Sequence, residues 1–311
     1  MQESSMNAHC DKIWFNGEIV PWEKATTHVM SHGIHYGSGV FEGIKCYQTD
    51  NGPALFKLEE HIHRMFISAK IYRMVLPYTE EEIVQACIDI VKTNGIENGY
   101  IRPVAFYGYD TLGVHPKDCP IVVSIGAFDW GTYLGQEALE KGVRVTISPW
   151  RKFHSSSLPT IAKANGQYIN SMLAVQDAKE KGFAEALLLN QEGTIAEGAG
   201  QNIFLVKNDT IYTNEEDSAI LMGITRDTII TLARDSGIRV KVGRISLGQL
   251  FNADEAFFTG TASEVTPIRE VDGRIVGNGA RGEVTQKLQS MYFDLVHGRL
   301  SQYQHFLTAA E

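Results

Sequence analysis

Lys163 stands in Leu158-Pro-Thr-Ile-Ala-Lys-Ala-Asn-Gly-Gln-Tyr168, a stretch of small, apolar and uncharged residues, and an acidic residue opens Glu197-Gly-Ala-Gly-Gln-Asn202 a little later. An amine that condenses with an aldehyde must be partly neutral near pH 7, and burial away from carboxylates moves a lysine in that direction. A carboxylate is the natural partner for a protonated pyridine nitrogen. Together the two stretches suggest pyridoxal phosphate chemistry. Each in isolation is more often a surface lysine or an ordinary glycine turn.

A phosphorylated cofactor also needs an anion site. Gly223-Ile-Thr-Arg-Asp227 precedes an apolar-periodic segment and offers free backbone N–H groups, the hydroxyl of Thr225 and the positive end of a helix dipole, although a simple helix cap has the same appearance. Thr259-Gly-Thr-Ala-Ser-Glu264 follows a strand-like run and sets two hydroxyls beside a glycine, as an oxyanion-binding nest does. The G-x-G-x-x-G dinucleotide pattern is missing, because Gly198 and Gly200 run into a strand-like segment, and a Rossmann dehydrogenase is disfavoured. His28, His32, His35, His61 and His63 have no carboxylate or cysteine at a recognisable ligand spacing, so no metal is expected.

These groups must be positioned by a mixed fold. Ile13-Trp-Phe-Asn-Gly-Glu-Ile-Val20 predicts a hairpin turning at Asn16-Gly17, with Trp14, Phe15 and Trp22 as packing residues. Val40 to Tyr47 and Pro53 to Phe56 flank Asp50-Asn-Gly52 and predict a second hairpin. A helix follows on the spacing of Leu58, Ile62, Met65, Phe66 and Ala69, and carries His61, His63 and Arg64. Thr79-Glu-Glu-Glu82 is a capping box opening a helix that stops at Asn94-Gly95, and strands are expected at Tyr100–Tyr107 and Ile121–Phe128. Further strands are expected at 143–147, 185–190, 203–206 and 255–259, and helices at 166–181, 225–235 and 283–296, while the last dozen residues carry no pattern. Glycines at 131, 135 and 142 mark a break, giving domains 1–130 and 143–311 joined by a loop at 131–142.

Composition narrows the classes. The 311 residues are 43% hydrophobic and 21% charged, as in a soluble globular protein, and no apolar run approaches the roughly 20 residues that span a bilayer. A net charge of −9 without a Lys/Arg cluster argues against nucleic acid. The first ten residues lack the basic and apolar segments of a secretory signal, so a cytoplasmic location is expected. Cys10, Cys46, Cys87 and Cys119 form no Cys-x-x-Cys pair and are expected to be free thiols.

Taken in order, Val29-Met-Ser-His-Gly-Ile-His-Tyr-Gly37, Val40-Phe-Glu-Gly-Ile-Lys45, Tyr100-Ile-Arg-Pro103, Trp130-Gly-Thr-Tyr-Leu-Gly135, Ala162-Lys-Ala164, Glu197-Gly-Ala-Gly200, Gly223-Ile-Thr-Arg226 and Gly260-Thr-Ala262 resemble the branched-chain aminotransferases among the fold-type-IV pyridoxal-phosphate enzymes. The resemblance runs nearly end to end. It implies a two-domain α+β or α/β fold, with a smaller N-terminal α/β domain, an interdomain loop and a larger cofactor-binding domain. It makes Lys163 the Schiff-base lysine and proton carrier, Glu197 the partner of the ring nitrogen, Tyr168 the contact to the phenolic oxygen, and Arg64, Ile224, Thr225 and Thr261 the phosphate ligands. Tyr100, with the backbone at Thr261 and Ala262, would hold the substrate carboxylate. Phe41, Tyr36, Trp130, Tyr133 and Val114 would line the side-chain pocket, with Tyr36 and Val114 supplied by a neighbouring subunit, so that a dimer is the minimum and a hexamer the larger alternative. Lys45 departs from the arginine often found in the family.

Tyr100 and Arg102 lie two apart on a predicted strand and share a face. A pocket that accepts an aliphatic amino acid and then 2-oxoglutarate needs one cation for the second carboxylate, and Arg102 resembles it. The implied reaction is ping-pong transamination between L-leucine, L-isoleucine or L-valine and 2-oxoglutarate. The competing readings are a D-amino-acid aminotransferase or an aminodeoxychorismate lyase on the same fold, and a non-catalytic scaffold. D-specific relatives tend to carry an arginine and a histidine on the strand equivalent to Tyr100-Ile-Arg102, and a scaffold would be free to lose Lys163 or Glu197.

Overall fold

The structure is a computed structural model and describes residues 8–130 and 135–310. The chain forms two compact units, one of Met1–Gly131, Ala162–Gly166 and Leu295–Glu311, the other of Thr132–Ile161 and Gln167–Asp294.

The first unit contains β1 (Lys12–Phe15), β2 (Glu18–Pro21), the short helix α1 (His32–Tyr36), β3 (Gly39–Phe41), β4 (Ile44–Thr49), β5 (Gly52–Phe56), α2 (Leu58–Ile71), α3 (Glu80–Asn94), β6 (Gly99–Tyr107) and β7 (Ile121–Asp129). Its antiparallel sheet runs from the C-terminal strand Leu307–Ala309 through β5, β4, β6, β7 and β1 to β2, with β3 also on β6. The β1–β2 turn has Asn16 at φ 49° and Gly17 at φ 96°, the positive angles that a two-residue hairpin turn requires. Thr79 and Glu82 cap α3 reciprocally, and Gly95 ends it in the left-handed conformation. Ile62 and Met65 of α2 and Ile83, Cys87 and Ile90 of α3 pack with Ile101, Val123 and Ile125 of the sheet to form the core.

The expected single strand from Val40 to Tyr47 is broken. Phe41 faces Val104 and Ile44 faces Ile101 in one continuous register, but Glu42 and Gly43 between them leave the ladder. The opposing residue is Pro103, which accepts a hydrogen bond from the Glu42 N–H (2.9 Å) and has no N–H to return. The hairpin around Asp50-Asn51 is therefore made by β4 and β5 alone.

The second unit holds α4 (Gln136–Lys141), β8 (Val143–Ile147), α5 (Tyr168–Glu180), β9 (Glu185–Leu189), β10 (Ile195–Gly198), β11 (Asn202–Lys207), β12 (Thr210–Thr213), α6 (Ile224–Asp235), β13 (Arg239–Val242), α7 (Leu247–Phe251), β14 (Glu255–Gly260), β15 (Glu264–Val271) and most of α8 (Glu283–Val296). Its mixed sheet has the order β10, β9, β8, β15, β14, β11, β12, β13, with parallel pairs at β8–β9, β8–β15 and β12–β13. Val145, Leu187, Ile203, Leu205, Phe258 and Ile268 are buried together as its core. Helix α4 lies within the stretch that the glycines mark only as a loop. The C-terminal residues without a sequence pattern include Leu307–Ala309, whose Leu307 faces Phe56 across the sheet edge.

Candidate active site

Lys163 belongs to the segment Ala162–Gly166, which returns to the first unit. Its N–H donates to Ser68 Oγ (3.0 Å), its carbonyl accepts from the Phe41 N–H (3.1 Å), and Ala164 bridges Val40. Gly166 approaches Gly37 so closely that a Cβ on Gly37 would lie 2.8 Å from the Gly166 Cα. The lysine backbone is thus fixed against β3 and α2 and its amine projects beside the Phe41 ring, 4.9 Å from the centroid. Burial pushes the Lys163 amine down to about 8, with Arg64 and Arg102 acting in the same direction and Glu42 and Tyr100 against it. Near neutrality a usable fraction of the amine is therefore uncharged.

Tyr100 and Arg102 do share one face of β6. Arg102 Nη2 donates to the Tyr100 hydroxyl (3.3 Å), and its guanidinium stacks 4.9 Å from the Phe41 ring and 5.2 Å from the Tyr100 ring. Trp130 packs on Tyr100 with ring centroids 4.1 Å apart. The Arg102 Nε is buried and has no protein acceptor. This is an aromatic wall containing one cation with a donor to spare, which suits an apolar side chain or a carboxylate. Gly43 makes room for it, since a Cβ there would meet the Tyr100 hydroxyl at 1.7 Å.

Arg64, on α2, holds a carboxylate within the protein. Its Nε donates to Glu42 Oε1 (2.7 Å) and its Nη2 to Glu42 Oε2 (2.8 Å), while His61 Nδ1 lies 2.7 Å from the same Oε2 and the Gly43 N–H 3.2 Å from it. Glu42 is fully buried and His61 nearly so. Burial opposes the Glu42 charge, but Arg64 and His61 outweigh it and hold the carboxyl well below the usual carboxylate range. Burial also pushes His61 down, so the ring is neutral, with Nδ1–H donating to Glu42 and a buried Nε2 that has no partner. Sequence reading assigned nothing to Glu42. The available signal was an acid inside an otherwise apolar run, Val40-Phe-Glu-Gly-Ile.

In the second unit Glu197, on β10, is buried and braced by three donors: Lys152 Nζ at 2.6 Å from Oε1, and the Leu221 N–H (3.0 Å) and Asn202 Nδ2 (3.3 Å) on Oε2. Asn202 also donates to the Leu221 carbonyl (2.8 Å), tying the carboxylate to the segment that enters α6. Gly223 precedes that helix where a Cβ would meet Asn202 Oδ1 at 2.0 Å. No side chain caps α6, whose first residues are Ile224 and the buried Thr225, so the first-turn N–H groups remain available to an anion. Arg226 locks the same turn by donating to the Asn214 carbonyl (2.7 Å) and to Asp227 (2.8 Å).

Thr261 and Ala262 occupy the turn between β14 and β15, flanked by Thr259 and Ser263, whose buried hydroxyls have no protein partner. Tyr168 opens α5 and is half-buried. Unpartnered buried hydroxyls, an uncapped helix start and a braced carboxylate fit a ligand carrying a phosphate and a basic ring nitrogen. Pyridoxal phosphate has both, and in the first unit the partly neutral amine of Lys163 has the chemistry that an aldehyde requires.

Tyr36 ends α1 and donates its hydroxyl to the Leu112 carbonyl (2.6 Å), and His32 Nε2 donates to the carbonyls of Gly113 and Val114 (3.1 and 3.2 Å). Tyr36 and Val114 are exposed. Tyr133 lies outside the described residues. Among the described residues no group of three or more His, Cys, Asp or Glu side chains could hold a metal ion.

The family model described as amino-transferase class IV matches residues 39–271. A branched-chain-amino-acid aminotransferase of Pseudomonas aeruginosa is 49% identical over 296 residues, spanning 95% of this chain and 96% of the relative. The crystal structure of the Escherichia coli branched-chain amino acid aminotransferase superposes with a TM-score of 0.95 at 44% identity, covering 97% of this chain and 100% of that one. The branched-chain amino acid aminotransferase of Thermobaculum terrenum, solved in its PLP-bound holo-form, gives a TM-score of 0.91 at 34% identity, covering 98% and 99%.

Proposed function

The chain belongs to the class IV amino-transferase family, and from that membership we propose that it transfers the amino group of L-leucine, L-isoleucine or L-valine to 2-oxoglutarate, with pyridoxal phosphate as cofactor. The products are the branched 2-oxo acid and L-glutamate, released in a ping-pong sequence. The observation that carries the substrate reading is the pairing of Tyr100 and Arg102 on one face of β6 against Phe41 and Trp130. The aromatic surface suits the branched side chain. The spare Nε of Arg102 suits the distal carboxylate of 2-oxoglutarate when that substrate follows.

When bound, the cofactor supplies an aldehyde that condenses with amines and a ring that takes up electron density from Cα. Glu197 would accept the ring N–H. Its bonds to Lys152, Asn202 and Leu221 keep its oxygens fixed as charge develops. Thr225, the Ile224 N–H, Thr261 and Arg64 would hold the phosphate, and Tyr168 the phenolic oxygen. Tyr100 and the N–H groups at Thr261 and Ala262 would orient the substrate carboxylate. Lys163, with its amine down to about 8, would be the base that takes the substrate α-proton.

Functionally, residues 1–130 are read as a small domain and 143–311 as the larger cofactor domain, joined by 131–142. Self-association is inferred from the exposed apolar residues Val29, Ile34, Tyr36 and Val114, which are set in and near α1 and the loop that His32 ties to it. A dimer is the minimum assembly in this reading, and a hexamer its larger form. A cytoplasmic location agrees with the four unpaired cysteines.

Titration of the purified protein with L-leucine and then 2-oxoglutarate tests cofactor, donor and acceptor together. The cofactor's visible band should shift with the first addition and return with the second. Lys163→Ala should lose the native visible band and reduce turnover by at least a thousandfold; normal transamination by this variant, or activity on D-alanine alone, would reject the reading.

A further inference from the structure

Glu42 is the most completely buried acid in the first unit's site, and none of the roles proposed above uses it. Its two oxygens accept from Arg64 Nε (2.7 Å), Arg64 Nη2 (2.8 Å), His61 Nδ1 (2.7 Å) and the Gly43 N–H (3.2 Å). A buried carboxylate with this many donors is costly to assemble and is stable only as the anion. Four features of the sequence create it. Pro103 opens the ladder opposite Glu42, Gly43 donates its N–H to the carboxylate, and His61 and Arg64 are three apart on α2, so both reach the same point. The bidentate contact takes the Nε/Nη2 edge of the Arg64 guanidinium and fixes its plane. Lys163 is held beside this cluster: its carbonyl accepts from the N–H of Phe41, the neighbour of Glu42 (3.1 Å), and its N–H donates to Ser68 Oγ (3.0 Å), which itself donates to the Arg64 carbonyl (2.9 Å). The charged and titratable groups acting on the Lys163 amine include Glu42 from the β3–β4 connection, Arg64 and His61 from α2, and Tyr100 and Arg102 from β6. Among these Glu42 favours positive charge at the lysine nitrogen, and the two arginines oppose it.

Resting on the pyridoxal-phosphate reading above, we propose that Glu42 is a positioning residue with two effects: its carboxylate holds the Arg64 guanidinium in the orientation used for the phosphate, and its charge stabilises positive charge at the Lys163 nitrogen. The arrangement separates two demands on one site. Arg64 must be cationic and rigid to hold a dianion, yet an uncompensated cation near Lys163 would drive that nitrogen further toward neutrality. A fixed anion held by Arg64 and His61 meets both demands.

The test is a pH titration of the bound cofactor's visible absorbance in the holoenzyme, with cofactor retention measured by equilibrium dialysis. Glu42→Gln keeps the size and most hydrogen bonds but removes the charge, and should move the absorbance midpoint to lower pH by about one unit. Glu42→Asp keeps the charge but withdraws the oxygens, so its midpoint should stay near that of the parent while the cofactor dissociates at least tenfold more readily. An unmoved midpoint in Glu42→Gln overturns the electrostatic effect. Should Glu42→Gln not yield folded protein, Glu42→Asp decides the positioning effect, which is overturned if that variant retains the cofactor as tightly as the parent. A parent protein that takes up no pyridoxal phosphate would instead defeat the functional reading itself, an outcome visible before any variant is made.

Discussion

Lys163 loses its proton at about 8 because burial, aided by Arg64 and Arg102, outweighs the attraction of Glu42. The unfolded chain would hold the same proton up to about 10.4. Below about pH 8 both states are protonated, and the fold carries the full cost of burying the charge, about 2–3 kcal/mol after allowance for the surface the residue retains. Between pH 8 and the unfolded value the folded chain releases its proton first, so this cost disappears as pH rises. Lys163→Met in the cofactor-free protein should therefore be more stable than the parent at pH 7, by up to about 2–3 kcal/mol in urea unfolding, and the advantage should shrink toward zero by about pH 10. A parent as stable as the variant at pH 7 would refute the burial cost. Neighbouring residue types mark Lys163 and Glu197 as candidates, and the fold lowers the amine of the first and buries the carboxylate of the second. Glu42 and Lys152 were not legible, because an isolated charge in a sequence does not reveal which buried cation or carboxylate it meets.

Among the elements, β6 does most to organise the first unit's site. It presents Tyr100 and Arg102 on one face, pairs with β3, β4 and β7, and carries the proline that breaks the ladder opposite Glu42. The break gives Gly43 a second constraint, since its missing Cβ is the space filled by the Tyr100 hydroxyl. Gly43 has no positive φ, so alanine suits its backbone and the obstacle is the phenol alone. Gly43→Ala should leave the circular dichroism spectrum unchanged and displace Tyr100, raising KM for L-leucine about tenfold with a smaller change in kcat, as loss of one carboxylate hydrogen bond would. Equal KM values in parent and variant would show that the phenol does not hold the substrate. Helices α2, α3 and α6 were readable from 3.6-residue periodicity and cap residues, and the β1–β2 turn from Asn16-Gly17. The interruption at Glu42-Gly43 was hidden, because it depends on Pro103, distant in sequence and adjacent only when the strands pair. Helix α4 was hidden for a different reason: glycines at its two ends read as a loop when nothing shows what its apolar face covers.

At the scale of the whole molecule, each unit has its own sheet and core, and segments distant in sequence complete them. Ala162–Gly166 and Leu295–Glu311 join the first unit, a return that no local pattern signals. The same unit leaves Val29 (70% exposed), Ile34 (56%), Tyr36 (46%) and Val114 (80%) in contact with solvent. Their positions are ordered by Tyr36 donating to Leu112 and by His32 donating to Gly113 and Val114, so the exposure belongs to a built surface. In the proposed self-association this ordered apolar surface would be the docking face, with a second copy as the partner. In a two-fold dimer every residue of the face occurs twice, and a single substitution places two charges in the interface. Val114→Asp should therefore raise the dimer dissociation constant at least a hundredfold, about 3 kcal/mol, and shift the mass measured by light scattering toward the monomer. If Tyr36 and Val114 complete a neighbour's pocket, turnover per subunit should fall along the same concentration curve as the dimer fraction, and adding protein should restore it. A fully dimeric Val114→Asp protein would move the interface elsewhere; a monomer with undiminished turnover would confine each site to a single chain.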